Sequence, residues 1–292
     1  VERKIKLDGP YNFDQALRRL APDPWAEPEM DRRSLRLGIL FNGRPAVVTV
    51  TAAGTTDRPE FLLSAEVEQH EEGRLLEQVT GIMQFDAPLA RIAEHLSLNG
   101  LEETVRENYG VPFIRDAQLF GSLIKTIIHQ QLNMAFAATL TNRFVEAFGT
   151  EQDGLWFFPS PESVSRIGVD ELRSMQFSTR KAEYIIDTAK WIAGGGADPE
   201  TFHLLTDSEI EGLLTKRRGI GRWTAENFMM FGLGRQDLFP VGDIGVQNAL
   251  KKEHGLGEKP GISYMEETSA RWAPYRSYAT LYLWNSLGNG PS

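Results

Sequence analysis

Between Leu35 and Phe41 the side chains Leu35, Leu37, Ile39 and Phe41 alternate with Arg36, Gly38 and Leu40. A repeat of two residues places one set on a single face of a strand. Asn42-Gly43 follows, then the β-branched run Val47-Val48-Thr49-Val50-Thr51. Both turn residues tolerate positive φ, so the segment reads as a hairpin with a type I′ turn. A third strand is expected from Glu60 to Val67. The period then changes: Leu75, Leu76, Val79, Ile82 and Met83 recur at helical spacing, beside an earlier helix around Phe13 to Leu20. Residues 1–85 are therefore expected to form an N-terminal α/β lobe.

From Asp86 onward no segment reads as a strand. Leu119, Phe120, Leu123, Ile124, Ile127 and Ile128 make a continuous stripe, as a helix buried along a broad face requires. Further helices are expected at Ala135 to Phe148, Thr179 to Ile192 and Asp207 to Leu214, the last opened by the capping box Thr206-x-x-Glu209. Trp223 to Phe231, Asp243 to Lys252 and a long aromatic-rich helix from Glu266 to Trp284 complete the pattern. The predicted fold is mainly α (α+β overall), a helical body over 86–292 carrying a small antiparallel sheet-and-helix lobe.

Composition narrows the chemistry. The 292 residues hold 0 cysteines, which excludes disulfides, Cys-ligated zinc and iron–sulfur clusters. No apolar run approaches the roughly 18 residues that cross a bilayer, and Val1-Glu2-Arg3-Lys4 opens no signal-type block. A cytosolic protein without membrane partners is the expectation. The net charge of −9 argues against coating nucleic acid through many phosphate contacts. It leaves room for a local basic face, and Lys216, Arg217, Arg218 and Arg222 crowd one short segment.

That segment is Arg218-Gly219-Ile220-Gly221-Arg222-Trp223-Thr224-Ala225. A tight Gly-x-Gly turn between two helices exposes amides where the second helix begins, and the aligned peptide dipoles favour a phosphate there. Asp243 lies 22 residues beyond Gly221, in Pro240-Val241-Gly242-Asp243-Ile244-Gly245-Val246. A hairpin followed by a Gly/Pro-rich loop and an Asp resembles the helix-hairpin-helix (HhH-GPD) DNA glycosylases. Over nearly the whole chain the resemblance is to bacterial 3-methyladenine DNA glycosylase II enzymes. It is carried by the hairpin, by Arg271-Trp272-Ala273-Pro274-Tyr275-Arg276-Ser277-Tyr278-Ala279, by Gln130-Gln131 through Ala137-Ala138, and by Arg180-Lys181-Ala182. In the acidic loop the chain departs from those enzymes, which have paired aspartates. Here Val241-Gly242 precede one Asp, as in alkyladenine glycosylases of fungi and other bacteria.

The resemblance implies a lesion pocket between two helical lobes and damaged double-stranded DNA as partner, bound by a monomer. Base release needs a flipped-out nucleotide and passes through an oxocarbenium-like sugar, which a carboxylate beneath it stabilises while orienting a water. Asp243 suits this role. It is also a good helix N-cap, and capping would hold the carboxylate in place. Asp237 reads as a loop or structural acid. Strand-cutting members carry a Schiff-base lysine where this chain has Trp223, and an indole cannot form that bond. A monofunctional hydrolase without an organic cofactor is therefore expected.

Cationic alkylpurines favour aromatic faces. Trp223 and Trp272 are the base-pocket candidates, with Trp272 preferred, while Tyr275, Tyr278 and Tyr282 are left mostly to packing and Trp284 is given no function. By the same resemblance Gln131 or Leu132 fills the gap left by the extruded nucleotide, and Gly219, Ile220, Gly221, Arg222 and Thr224 form the DNA-binding hairpin. The carbonyls of Thr215, Arg217 and Gly219 map to a structural Na⁺ or K⁺ site. His129 reads as a helix-end residue. Two rivals stay open: a glycosylase for an oxidised or deaminated base, and a non-catalytic hairpin module that docks on DNA. A bacterial, nucleoid-associated setting completes the expectation.

Overall fold

The computed structural model describes residues 1–288. It opens with β1 (Glu2–Lys6), α1 (Phe13–Leu20), β2 (Ala26–Glu29), β3 (Ser34–Phe41), β4 (Arg44–Ala52), β5 (Glu60–Ala65) and α2 (Glu72–Met83). The strands form one antiparallel sheet in the order β1-β5-β4-β3-β2. Asn42 and Gly43 both take positive φ, 51° and 73°, as the Asn-Gly turn requires. The two edge strands were not anticipated. Charged Glu2-Arg3-Lys4 and the Pro28 within Ala26–Glu29 hide the alternation there, as edge strands commonly do. The sheet buries Leu35, Leu37, Ile39, Val48, Val50 and Leu63. Phe13 of α1 meets Phe61 of β5 edge-on at 5.2 Å, and Phe85 stacks on the same ring at 4.7 Å.

The body contains α3 (Leu89–Leu96), α4 (Glu102–Glu107), α5 (Leu119–His129) and α6 (Met134–Phe148). A short hairpin of β6 (Thr150–Gln152) and β7 (Leu155–Phe157) follows, then α7 (Pro161–Val164), α8 (Val169–Ser174) and α9 (Thr179–Ala193). The chain continues with α10 (Asp207–Leu214), α11 (Arg222–Phe231), α12 (Ile244–Glu253), α13 (Ile262–Ala270) and α14 (Arg276–Ser286). The β6–β7 hairpin corrects the expectation of a strand-free body. Each of its strands has 3 residues, too few to display a period, and Asp153-Gly154 turns between them with positive φ. This hairpin docks the N-terminal lobe: Trp156 N–H donates to the Pro24 carbonyl at 3.0 Å, and Gly38 lies under Phe157, where a Cβ would sit 2.9 Å from the ring.

The long final helix is also corrected, because the chain breaks it into α13 and α14. Pro274 lies in the break, where it lacks the N–H that helical continuation needs. The body's second helical lobe is built from both of its ends. Thr104 of α4 donates to Glu253 of α12 at 2.8 Å, Asn285 of α14 donates to Asn108 just after α4 at 2.7 Å, and α14 packs on α4 and α12. The first lobe centres on α5, whose Leu123, Ile124, Ile127 and Ile128 are fully buried against α6, α9 and α11.

Candidate active site

Asp243 caps α12, and its two oxygens have different partners. Oδ1 accepts the Val246 N–H at 2.8 Å and the Trp284 indole N–H at 2.9 Å, while Oδ2 accepts the Trp223 indole N–H at 2.7 Å. The capping expected of this residue is thus present. A carboxylate with three convergent donors is fixed in orientation. Half-buried, it stands one residue before Ile244, which is 64% exposed at the start of the helix. The loop is set by Asp243 N–H to the Pro240 carbonyl at 2.9 Å and by the Gln247 amide to the Val241 carbonyl at 3.0 Å. Gly245 completes the arrangement, since a Cβ there would lie 3.0 Å from Asp243 Oδ1 and 3.1 Å from Trp284 Nε1.

Trp284, given no function from the sequence, packs in the core as a buried residue and also donates to Asp243, a contact the sequence did not reveal. Its sequence neighbours gave no hint, because every residue of α14 from Ser277 to Trp284 is buried and the aromatic spacing is that of a core. The available signal was Gly245, a small residue in the first turn of a helix that tolerates glycine poorly. The expectation for Trp272 is corrected. It is 1% exposed, donates its indole N–H to the Asn99 carbonyl at 3.2 Å and meets Phe239 edge-on at 5.4 Å. Neither face is free to take a base. Its contact with Phe239 instead braces the loop that leads to Asp243. Asp237 makes a two-pronged pair with Arg276, 2.7 and 2.9 Å, in keeping with a structural acid.

Beyond Trp284 the ring of Phe231 lies nearly parallel, 13° between planes and 6.0 Å between centroids. Phe231 borders a cleft of about 310 Å³ that is also lined by Arg18, Arg19, Phe113 and Asn285. The Arg19 guanidinium sits 5.2 Å above Phe231, so α1 of the N-terminal lobe supplies one wall of this cleft, which Asp243 itself does not line. Arg19 also pairs with Asp23 at 3.5 Å, and Lys125 reaches both Asp23 and Asp116 at 3.1 Å.

The hairpin is α10, a turn and α11. Gly219 takes φ of +87°, and a Cβ there would fall 2.2 Å from the Tyr184 ring, so both the turn and the close approach demand glycine. Ile220 is the buried anchor. Gly221 caps α11 without a side chain, and the space around its Cα is open, leaving the first-turn amides without a side-chain partner. The expected basic face is weaker than its composition suggests. Arg218 pairs with Glu183 at 2.5 Å and lies 3.8 Å from Asp187, Arg222 pairs with Glu226 at 2.9 Å, and the Arg217 guanidinium rests 4.9 Å over Trp191. Burial raises the Glu226 carboxyl above its usual range, and the Arg222 pair opposes that rise.

Of the carbonyls mapped to a cation, Arg217 accepts the Ile220 N–H at 3.1 Å and Gly219 accepts the Gln130 side-chain amide at 2.8 Å. Each keeps one lone pair for an ion, which would stiffen the turn and take no part in the chemistry. Between α5 and α6, Gln131 is exposed with φ of 57°, while Leu132 is half-buried against the core. Of the two wedge candidates only Gln131 stands clear of the surface. His129 ends α5 as expected, bonded to Thr141 Oγ1 at 3.2 Å. Burial lowers its pKa to about 3, helped by the nearby Lys125.

A sequence profile of HhH-GPD superfamily base excision DNA repair proteins matches residues 124–274, a span holding the hairpin and Asp243. Bacillus subtilis YfjP, named provisionally as a DNA-3-methyladenine glycosylase, is 42% identical over 98% of this chain and 99% of its own. The chain belongs to the HhH-GPD superfamily. Its fold superposes on a 3-methyladenine DNA-glycosylase from Archaeoglobus fulgidus with a TM-score of 0.84, at 24% identity and with 97% of each chain covered. The Schizosaccharomyces pombe 3-methyladenine DNA glycosylase Mag1, solved with abasic DNA, gives a TM-score of 0.60 at 28% identity, over 69% of this chain and 98% of that one. Within the superfamily match lie the hairpin, the turn at Gln131 and Asp243, whereas Trp284 falls outside it.

Proposed function

We propose that the protein is a monofunctional DNA glycosylase that flips alkylated purines out of duplex DNA and releases them by hydrolysis. The observation that carries this reading is the Asp243 carboxylate held by two indoles and a helix amide, one of the indoles being Trp223 in the first turn of the hairpin's second helix. Names of the relatives supply the substrate class: YfjP and Mag1 are both called 3-methyladenine glycosylases. Mag1, solved with abasic DNA, supports duplex DNA as the partner. In the proposed reaction the amides at Gly221 hold a phosphate of the damaged strand, and Gln131 occupies the vacated stack. Asp243 stabilises positive charge growing on the deoxyribose as the glycosidic bond breaks, and orients the water that adds to the sugar.

Absence of strand cutting follows from Trp223. Its N–H is committed to Asp243 at 2.7 Å, and an indole supplies no amine for a Schiff base with the sugar. The test is incubation with randomly methylated duplex and chromatographic identification of freed bases, followed by borohydride trapping of any covalent complex. Release of 3-methyladenine without a trapped adduct is the expected result. No freed base from any alkylated duplex would overturn the reading, and a trapped adduct would overturn its monofunctional part.

A further inference from the structure

The Arg180-Lys181-Ala182 block has no part in the chemistry above, yet its lysine is buried, 9% exposed, at the first turn of α9. Lys181 Nζ donates to the carbonyl of Ile128 and, at 2.8 Å, to that of Gln130. These carbonyls end α5, where helical partners run out and the dipole favours a cation. Burial pulls the ammonium down to about 8. The side chain of Gln130 then reaches the other way. Its Nε2 donates at 2.8 Å to the Gly219 carbonyl in the hairpin turn and at 2.8 Å to Thr224 Oγ1 in the first turn of α11. Tyr184, three residues after Lys181 and so on the same face of α9, packs its ring beneath Gly219. One helix end is thus bonded to the wedge turn and packed under the hairpin, and Gln130 spans the gap between them.

We propose that Lys181 and Gln130 are positioning residues that fix the wedge turn against the hairpin, coupling the grip on the damaged strand to extrusion of its nucleotide. The proposal rests on the glycosylase reading above. Gln131 occupies a left-handed backbone position and is exposed, so its height over the DNA is set by the residue before it. Gln130 is held by Lys181 through its main chain and by the hairpin through its side chain. If either tether is removed, the hairpin still binds phosphate and Asp243 keeps its three donors, while the wedge loses its reference.

Two substrates separate this role from general structural support. One carries the lesion in a fully paired duplex; the other places the same lesion opposite an abasic gap, where no partner must be displaced. Gln130→Met and Lys181→Met roughly keep side-chain volume and remove the polar groups that form the tether. Single-turnover release from the paired duplex is expected to fall about 10- to 100-fold, the scale of a misplacement near 1 Å. Release opposite the gap is expected to change little. The double variant should lose no more than the worse single one, since both break the same tether. Gln130→Met at a half-buried turn tests the idea even if the buried Lys181→Met fails to fold. Equal losses on both substrates, or none on either, would overturn the proposal. Inactivity of the unaltered protein on both substrates would instead overturn the glycosylase reading.

Discussion

Replacing Asp243 with Asn should cost stability as well as base release, and the size of that cost follows from how the oxygens are used. At an ordinary helix N-cap Asp and Asn are nearly equivalent, so the exchange would be close to neutral. Here three donors converge on the carboxylate. The Val246 and Trp284 N–H groups share Oδ1, and the Trp223 N–H has Oδ2 at 2.7 Å. An amide has one oxygen. Keeping that oxygen where two donors meet turns the NH₂ toward the Trp223 N–H, donor against donor, in a half-buried site. An unmet polar group of this kind costs about 1–3 kcal/mol. Trp223→Phe in the unaltered protein would strand one carboxylate oxygen at a similar cost, yet combined with Asp243→Asn it removes the clash. Urea unfolding of the four proteins gives the coupling directly. We expect each single variant to be less stable by about 1–3 kcal/mol, with the double variant no worse than Asp243→Asn alone. Trp284→Phe should bring no such relief. A change below about 0.5 kcal/mol for Asp243→Asn, the usual scatter of surface substitutions, would refute the hydrogen-bond assignment.

Three further outcomes are expected. Gly245→Ala raises helix propensity by about 1 kcal/mol but presses its methyl toward Asp243 Oδ1 and Trp284 Nε1. Base release should therefore fall while the urea midpoint holds or rises. Trp272→Ala should cost about 3–5 kcal/mol as a core truncation, whereas Trp272→Phe should leave the relative rates on different alkylated bases unchanged; a shifted ranking would return Trp272 to the pocket. His129 binds protons less readily folded than unfolded, since burial lowers its pKa from 6.5 to about 3. Its contribution is complete above pH 6.5 and is lost as pH falls toward 3, on the order of a few kcal/mol in all. Unfolding curves between those pH values should lose that slope in His129→Gln, which keeps a donor for Thr141.

What the sequence revealed depended on how local each signal was. The β3–β4 hairpin, α1 and the capped start of α10 rest on neighbours in the chain, and pattern alone located them. Gly219 and Asp243 were legible because hairpin and loop are short contiguous motifs. Trp284 was not, since its partner lies 41 residues away and its own helix reads as core. Trp272 misled for the complementary reason: a residue inside a recognisable block borrowed importance from it, while the structure commits that indole to Asn99 and Phe239. Lys181 and Gln130 were noticed only as letters in a motif. Their bonds to Ile128 and Gly219 span 53 and 89 residues, beyond the reach of any periodicity. The discontinuous lobe made from α4, α12 and α14 was hidden for the same reason.

The pairing of Arg218 and Arg222 with their own acids bears on how such a protein travels along a chromosome. Main-chain amides displace few counterions when they meet a phosphate, so attachment through them responds weakly to ionic strength. Cations already matched by Glu183 and Glu226 add little long-range pull. A chain of net charge −9 built this way should dissociate quickly from undamaged helix and linger only where a nucleotide can be turned out, so that dwell time, more than capture, discriminates damage.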